Sequence, residues 1–116
     1  EEIFLAVQIE TDLGAKNVGE ILSVDGIDGC WIGPGDLSRY MGVDLSTQEG
    51  RNAHTTTITN IIAECKDVGK IPGIWTGTAA DANNWISKGC LFVTAGTDGT
   101  WIRKMADQTL KELGRY

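Results

Sequence analysis

Four short apolar runs rich in β-forming residues punctuate the chain, each followed by a stretch with helical spacing: IFLAVQIE (Ile3 to Glu10), CWIG (Cys30 to Gly33), IPGIWT (Ile71 to Thr76) and CLFVTAG (Cys90 to Gly96). Strands that alternate with helices through short links pair in parallel, with right-handed crossovers. Between the first two runs, Val18, Ile21 and Leu22 predict a short one-faced helix, and Asp25-Gly26 and Asp28-Gly29 turn the chain into the next strand. A longer helix is predicted from STQE. Ser46 serves as its N-cap, Glu49 completes a capping box, and Ile58, Ile61, Ile62 and Cys65 form one stripe before Gly69. A third helix starts at TAAD (Thr78 to Asp81), buries Ala82, Trp85 and Ile86 and stops at Gly89. A fourth follows Asp98, carries Ile102, Met105, Ala106, Thr109 and Leu113, and stops at Gly114. The expected architecture is α/β, four βα units on a parallel sheet, with residues 1–116 as a single domain.

Composition narrows the function. A chain of 116 residues supports one core but is only about half of the ~250 residues of a full (β/α)8 barrel. A net charge of -6 and a pI near 4.6, with no cluster of Lys or Arg, repel phosphate backbones and anionic lipid, so neither nucleic acid nor a membrane surface is an expected partner. The longest apolar run, Ile3 to Val7, is too short to span a bilayer, and acids stand where a signal peptide would be basic, which predicts a cytoplasmic protein. Cys30, Cys65 and Cys90 are odd in number and lack CxxC spacing, and so read as reduced, buried thiols. Trp31, Trp75, Trp85 and Trp101 read as core residues, His54 as a surface histidine at a helix start, and Glu1 and Glu2 as solvated acids.

In a parallel α/β sheet, ligands gather at the carboxyl ends of the strands. Those ends carry Glu10, the segment Pro34 to Ser38, Thr76 to Thr78, and Thr97 with Asp98. Neighbouring strands lie ~4.8 Å apart, so Glu10 and Asp36 can approach one point, which two like charges tolerate only with a cation or a proton between them. Oxygen ligation by two carboxylates, with the remaining positions left to water and substrate, suits Mg²⁺ or Mn²⁺ better than zinc. Counting back by twos from Glu10 puts Gln8, Ala6 and Phe4 on its face of the first strand. Ile9, Val7, Leu5 and Ile3 form an aliphatic, helix-covered face opposite. The same residues also have a plain reading: a surface acid, a helix cap, and glycines Gly33 and Gly35 in a tight turn.

At these positions VQIET, NVGEILSVDGIDGCWIGPGDLS, GKIPGI and FVTAGTD occur in an order that resembles the HpcH/HpaI aldolase family, metal-dependent class II pyruvate aldolases related to citrate lyase β and malyl-CoA lyase. The resemblance spans nearly the whole chain and implies the second half of a TIM (β/α)8 barrel, strands five to eight. It implies Glu10 and Asp36 as the ligands of a divalent ion, Mg²⁺ or Mn²⁺ with Co²⁺ as a third choice. Gln8 would serve catalysis beside the ion, and the backbone N–H groups of Gly35 and Asp36 would bind the carboxylate of pyruvate or another 2-oxo acid. Pro34 would make that turn rigid. The implied reaction is reversible aldol cleavage of a 4-hydroxy-2-oxo acid to pyruvate and an aldehyde, in which the metal stabilises the enolate and no Schiff-base lysine takes part. The family's catalytic arginine and histidine lie on earlier strands than these, and neither Arg39 nor His54 matches those roles. Activity of these residues alone is therefore expected to be weak, and the alternative is a non-catalytic half-barrel that keeps only the metal-site residues. Open sheet edges and an exposed lumen face predict a homodimer or higher homo-oligomer. The family swaps its last helix between subunits, which implies that Trp101 to Leu113 contact a partner.

Overall fold

The computed structural model describes residues 3–115, so that Glu1 and Glu2 lie outside the described residues. The strands β1 (Ala6–Ile9), β2 (Gly29–Ile32), β3 (Ile71–Ile74) and β4 (Phe92–Val93) form one sheet in the order β1-β2-β3-β4, and every pair is parallel. Sequential neighbours joined by helices are what the alternation of apolar runs predicts. The strands are shorter than the runs. Regular pairing starts only at Ala6, opposite Gly29, and Ile3 and Leu5, expected under a helix, are exposed. Val7 and Ile9 alone keep the covered face, Ile9 buried and Val7 packed against the core.

Among the described residues, six helices cross between and after the strands: α1 (Asp12–Lys16), α2 (Val18–Leu22), α3 (Pro34–Met41), α4 (Gln48–Asp67), α5 (Ala79–Ser87) and α6 (Asp98–Glu112). Two were not anticipated. α1 is a single turn capped by Thr11, whose side chain accepts a hydrogen bond from the Gly14 amide. α3 begins where a tight turn was expected: Pro34 is its first residue, where the missing N–H costs nothing, and Gly42 closes it at a positive φ of 65°. The cap of α4 also moves. Thr47, not Ser46, receives the Gly50 amide, while the Ser46 amide is donated to the Asp44 carboxylate, a bond that holds the Asp44 carboxyl below its ordinary range.

The core lies between one face of the sheet and the helices that cover it. Ile9, Ile32 and Ile74 from the strands meet Val18 and Leu22 of α2 and Ile58, Ile61, Ile62 and Cys65 of α4, all at most 2% exposed. The predicted stripe on α4 is therefore the stripe that is buried. The opposite face of the sheet carries Gln8, Trp31 and Gly73 in register. An aromatic cluster covers part of it, Trp31 against Phe92 at 4.7 Å between ring centroids and Phe4 edge-on to Phe92 at 5.9 Å. The tryptophans divide accordingly. Trp85 packs against the core, Trp31 is half-buried, and Trp75 and Trp101 are 44% and 59% exposed, contrary to expectation. Ile86 is exposed as well, and no residue of α6 is buried. Helical spacing marks these as an apolar face, but nothing among the described residues lies over it.

Cys30, Cys65 and Cys90 are free, buried thiols, as expected. A hydrogen bond with Cys65, then burial, push the Cys30 thiol far up, and burial with the neighbouring Cys65 pushes Cys90 up to about 11. Both stay protonated to higher pH in the folded chain than in the unfolded one. Their stabilisation is complete below the ordinary thiol value of 9.0 and, for Cys90, is lost as pH climbs to about 11. Urea unfolding followed through this window should show stability falling, by roughly 2 kcal/mol from Cys90. Cys90→Ala should flatten that part of the slope; an unchanged slope would refute this origin.

Candidate functional site

β1 ends at Ile9, and the next residue, Glu10, stands over the start of α3. Gln8, two residues back and on the same face, donates its Nε2 to Oε2 of Glu10 at 2.6 Å. The amide of Gly33 donates to the Ile9 carbonyl at 3.0 Å, which brings the end of β2 against Glu10. A Cβ on Gly33 would lie 3.1 Å from both Cβ and Oε2 of Glu10 and 3.3 Å from Nε2 of Gln8. Glycine at this position thus has a packing reason: it lets the Gln8–Glu10 pair sit directly on the α3 N-cap.

That N-cap is Gly33, with no side chain to cap the helix, so the amides of the first turn are left to another partner. The Leu37 amide reaches the Gly33 carbonyl at 2.9 Å, whereas Gly35 and Asp36, in the first turn, precede the intrahelical ladder. An anion is favoured there by both the free amides and the helix dipole. Asp36 extends from the same turn, and its Oδ1 accepts from Nη1 of Arg39, one helical turn on, at 2.9 Å.

An open cleft of about 280 Å³ lies at this corner, with Gln8, Trp31 and Trp75 on one side and the Gly33 to Asp36 turn on the other. Glu10 borders it through Gln8 and Gly33. Of the larger grooves, two, about 510 and 730 Å³, are lined by α6 residues alone, and one of about 530 Å³ is lined by Ile3, Phe4, Gly26 and Asp28, ahead of β1 and β2 and away from the carboxyl ends of the strands. Glu10 and Asp36 therefore flank one helix start but do not bond to each other. Each engages one oxygen within the protein, and among the described residues no hydrogen bond reaches Oε1 of Glu10 or Oδ2 of Asp36. The carboxylate oxygens are hard donors of the kind that Mg²⁺ or Mn²⁺ takes, whereas the amides of the turn suit an anion and not a cation. The described residues contain no group of three or more His, Cys, Asp or Glu able to hold a metal.

The remaining strand ends are occupied by structure. The hydroxyl of Thr76 donates to the Thr94 carbonyl and that of Thr94 returns to the Thr76 carbonyl at 3.0 Å, tying β3 to the segment after β4. Thr97 caps α6 in a capping box with Thr100, and Asp98 accepts from the Gly99 amide. Two residues have partners here that the sequence did not suggest. Arg39 pairs with Asp36, a contact its spacing of three would have announced had α3 been recognised as a helix. His54, expected on the surface, is half-buried, and its Nε2 lies 2.8 Å from the Pro34 carbonyl. A bond across 20 residues leaves no local signal.

The sequence pattern of the HpcH/HpaI aldolase/citrate lyase family matches residues 1–104. A 4-hydroxy-2-oxo-heptane-1,7-dioate aldolase of Salmonella arizonae is 40% identical over 108 residues, covering 93% of this chain and 40% of that protein. The chain thus spans less than half the length of the curated relatives it matches. An HpcH/HpaI aldolase/citrate lyase family protein from Burkholderia cenocepacia superposes with a TM-score of 0.84 at 26% identity, over 96% of this chain and 42% of that one. The citrate lyase beta subunit of M. tuberculosis, solved with oxaloacetate and magnesium, shares the fold at a TM-score of 0.67 and 18% identity, over 81% of this chain and 47% of that one. The parallel four-stranded sheet therefore corresponds to a half-barrel of these TIM-type enzymes. Sequence pattern and strand topology agree along the same stretch of residues, and the chain belongs to the HpcH/HpaI aldolase/citrate lyase family.

Proposed function

We propose that the chain carries the divalent-metal and pyruvate half of a class II aldolase site, acting on 4-hydroxy-2-oxo acids to give pyruvate and an aldehyde. The observation that carries this is the corner where the Gln8–Glu10 pair presses on Gly33 and Asp36 stands in the uncapped first turn of α3. Supporting it are the name of the 40% identical Salmonella relative and the oxaloacetate and magnesium held by the citrate lyase subunit.

Glu10 and Asp36 would hold Mg²⁺ or Mn²⁺, which when bound supplies Lewis-acid stabilisation of negative charge on the substrate oxygens. Gln8 orients Glu10 by donating to Oε2 and so leaves the other oxygen free. The amides of Gly35 and Asp36 receive the carboxylate of the 2-oxo acid, and the side chains of Trp31 and Trp75 wall the cleft. Three buried thiols suit a reducing cytoplasm, where the proposal places the protein.

Calorimetric titration with Mn²⁺, with and without pyruvate, tests the proposal. Pyruvate should tighten Mn²⁺ binding and Mn²⁺ should tighten pyruvate binding by the same factor, as linkage requires. Absence of Mn²⁺ binding would favour a half-barrel that retains the site residues without the chemistry.

The proposal includes self-association. Trp101, Ile102, Met105 and Leu113 of α6 and its end are 59 to 71% exposed, an apolar surface that a second copy would cover. Sedimentation at micromolar concentration should give a dimer or larger species, and a monomer would count against it. None of the helices in the described residues is long and apolar enough to cross a membrane.

A further inference from the structure

We propose that His54 is a positioning residue of the candidate site: from α4 it donates its Nε2–H to the Pro34 carbonyl and holds in place the first turn of α3, where Gly35 and Asp36 stand. The inference rests on the proposed metal and carboxylate site and adds to it a residue that touches neither ligand.

The start of α3 needs an outside support. The helix has eight residues, and its buried side chains, Leu37 and Ser38, follow the functional turn rather than lie within it. Gly33 offers no capping side chain, Pro34 has no N–H, and a Cβ on Gly35 would meet nothing within 4 Å. Asp36 is paired only with Arg39 of its own helix, an exposed contact that moves with the helix and cannot anchor it. Among the described residues, two hydrogen bonds reach this turn from other elements. On the β1 side the Gly33 amide donates to Ile9, and on the opposite side the imidazole of His54 meets the carbonyl of Pro34 at 2.8 Å.

His54 is well placed for that task. It lies in the second turn of α4, the longest helix, which is fastened to the sheet by Ile58, Ile61, Ile62 and Cys65, each at most 1% exposed. The start of α4 is equally constrained, since a Cβ on Gly50 would come within 2.0 Å of the Asp44 carbonyl oxygen. A carbonyl oxygen only accepts, so the bond requires the proton on Nε2 and selects that tautomer of His54. The position of the Gly35 and Asp36 amides is thereby referred to the rigid body of the fold instead of to a short exposed helix.

Three variants test this: His54→Leu, His54→Gln, whose amide keeps a donor of similar reach, and Ile58→Val, which loosens the same helix interface away from the bond. The readouts are amide hydrogen exchange at Leu37 and Ser38 without metal, and the Mn²⁺ dissociation constant by calorimetry. Loss of one part-buried hydrogen bond should speed exchange at Leu37 and Ser38 about fivefold in His54→Leu and weaken Mn²⁺ binding by a similar factor. His54→Gln should recover most of both, and Ile58→Val should lower global stability without changing the Mn²⁺ constant. If the parent protein binds Mn²⁺ and His54→Leu binds it within about twofold as tightly, the role of His54 is overturned. If the parent protein does not bind Mn²⁺, the site itself falls and the inference falls with it, whatever the exchange rates show.

Discussion

Glu10→Gln combined with Asp36→Asn is expected to abolish Mn²⁺ binding, a loss of more than about a hundredfold, while the fold survives. The reason is the donor inventory at the corner of β1 and α3. Each carboxylate spends one oxygen on a neutral or cationic neighbour, Gln8 or Arg39, and leaves one for an ion. Conversion to amides removes both negative charges and places N–H donors where a cation needs oxygen. Neither side chain is in the core, and each amide is nearly isosteric with the acid it replaces, so thermal unfolding should shift little. Calorimetry on the double variant decides. Undiminished Mn²⁺ binding would place the ion elsewhere and remove the basis of the aldolase proposal.

Gly29→Ala should be the most damaging small substitution in the sheet, with a cost above about 3 kcal/mol. Gly29 opens β2 opposite Ile71, and a Cβ there would lie 2.2 Å from the Ile71 carbonyl oxygen. Backbone stands in the way, and backbone held in a parallel ladder cannot rotate aside as a side chain would. The strand would have to separate from β3 at its first residue. Gly35→Ala is the contrasting control, because a Cβ there meets nothing within 4 Å and alanine leaves the unfolded chain less freedom to lose. Urea unfolding of the two variants should show a large loss for the first and none for the second. Equal stabilities would mean that β2 and β3 are not packed as described.

The four strands, the longer helices and their order, though not α1 or α3, were open to a reader of the residues alone. The apolar runs, the stripe of Ile58, Ile61, Ile62 and Cys65, and the terminal glycines Gly69, Gly89 and Gly114 each rest on spacing within one segment, and spacing within a segment survives folding unchanged. The boundaries were less open. Ser46 and Thr47 are both competent caps, and the fold uses Thr47, with the Ser46 amide held by Asp44 one step outside the helix. The GPGD stretch read as a turn because proline between glycines breaks most helices; here it begins one, since the chain leaving β2 needs no N–H at that point.

The candidate site divides in the same way. That Glu10 and the Pro34 to Ser38 segment stand at strand ends follows from alternation and crossover handedness, which are properties of a chain of L-residues and need no detail of packing. That Gln8 bonds to Glu10, that the pair crowds Gly33 closely enough to favour a residue without a side chain, and that His54 grips Pro34 from 20 residues away depend on where whole elements come to rest against one another. The exposed tryptophans belong with these. Trp75 and Trp101 read as core residues, yet an apolar side chain becomes core only when another surface covers it, and burial is a relation between segments that no single segment encodes.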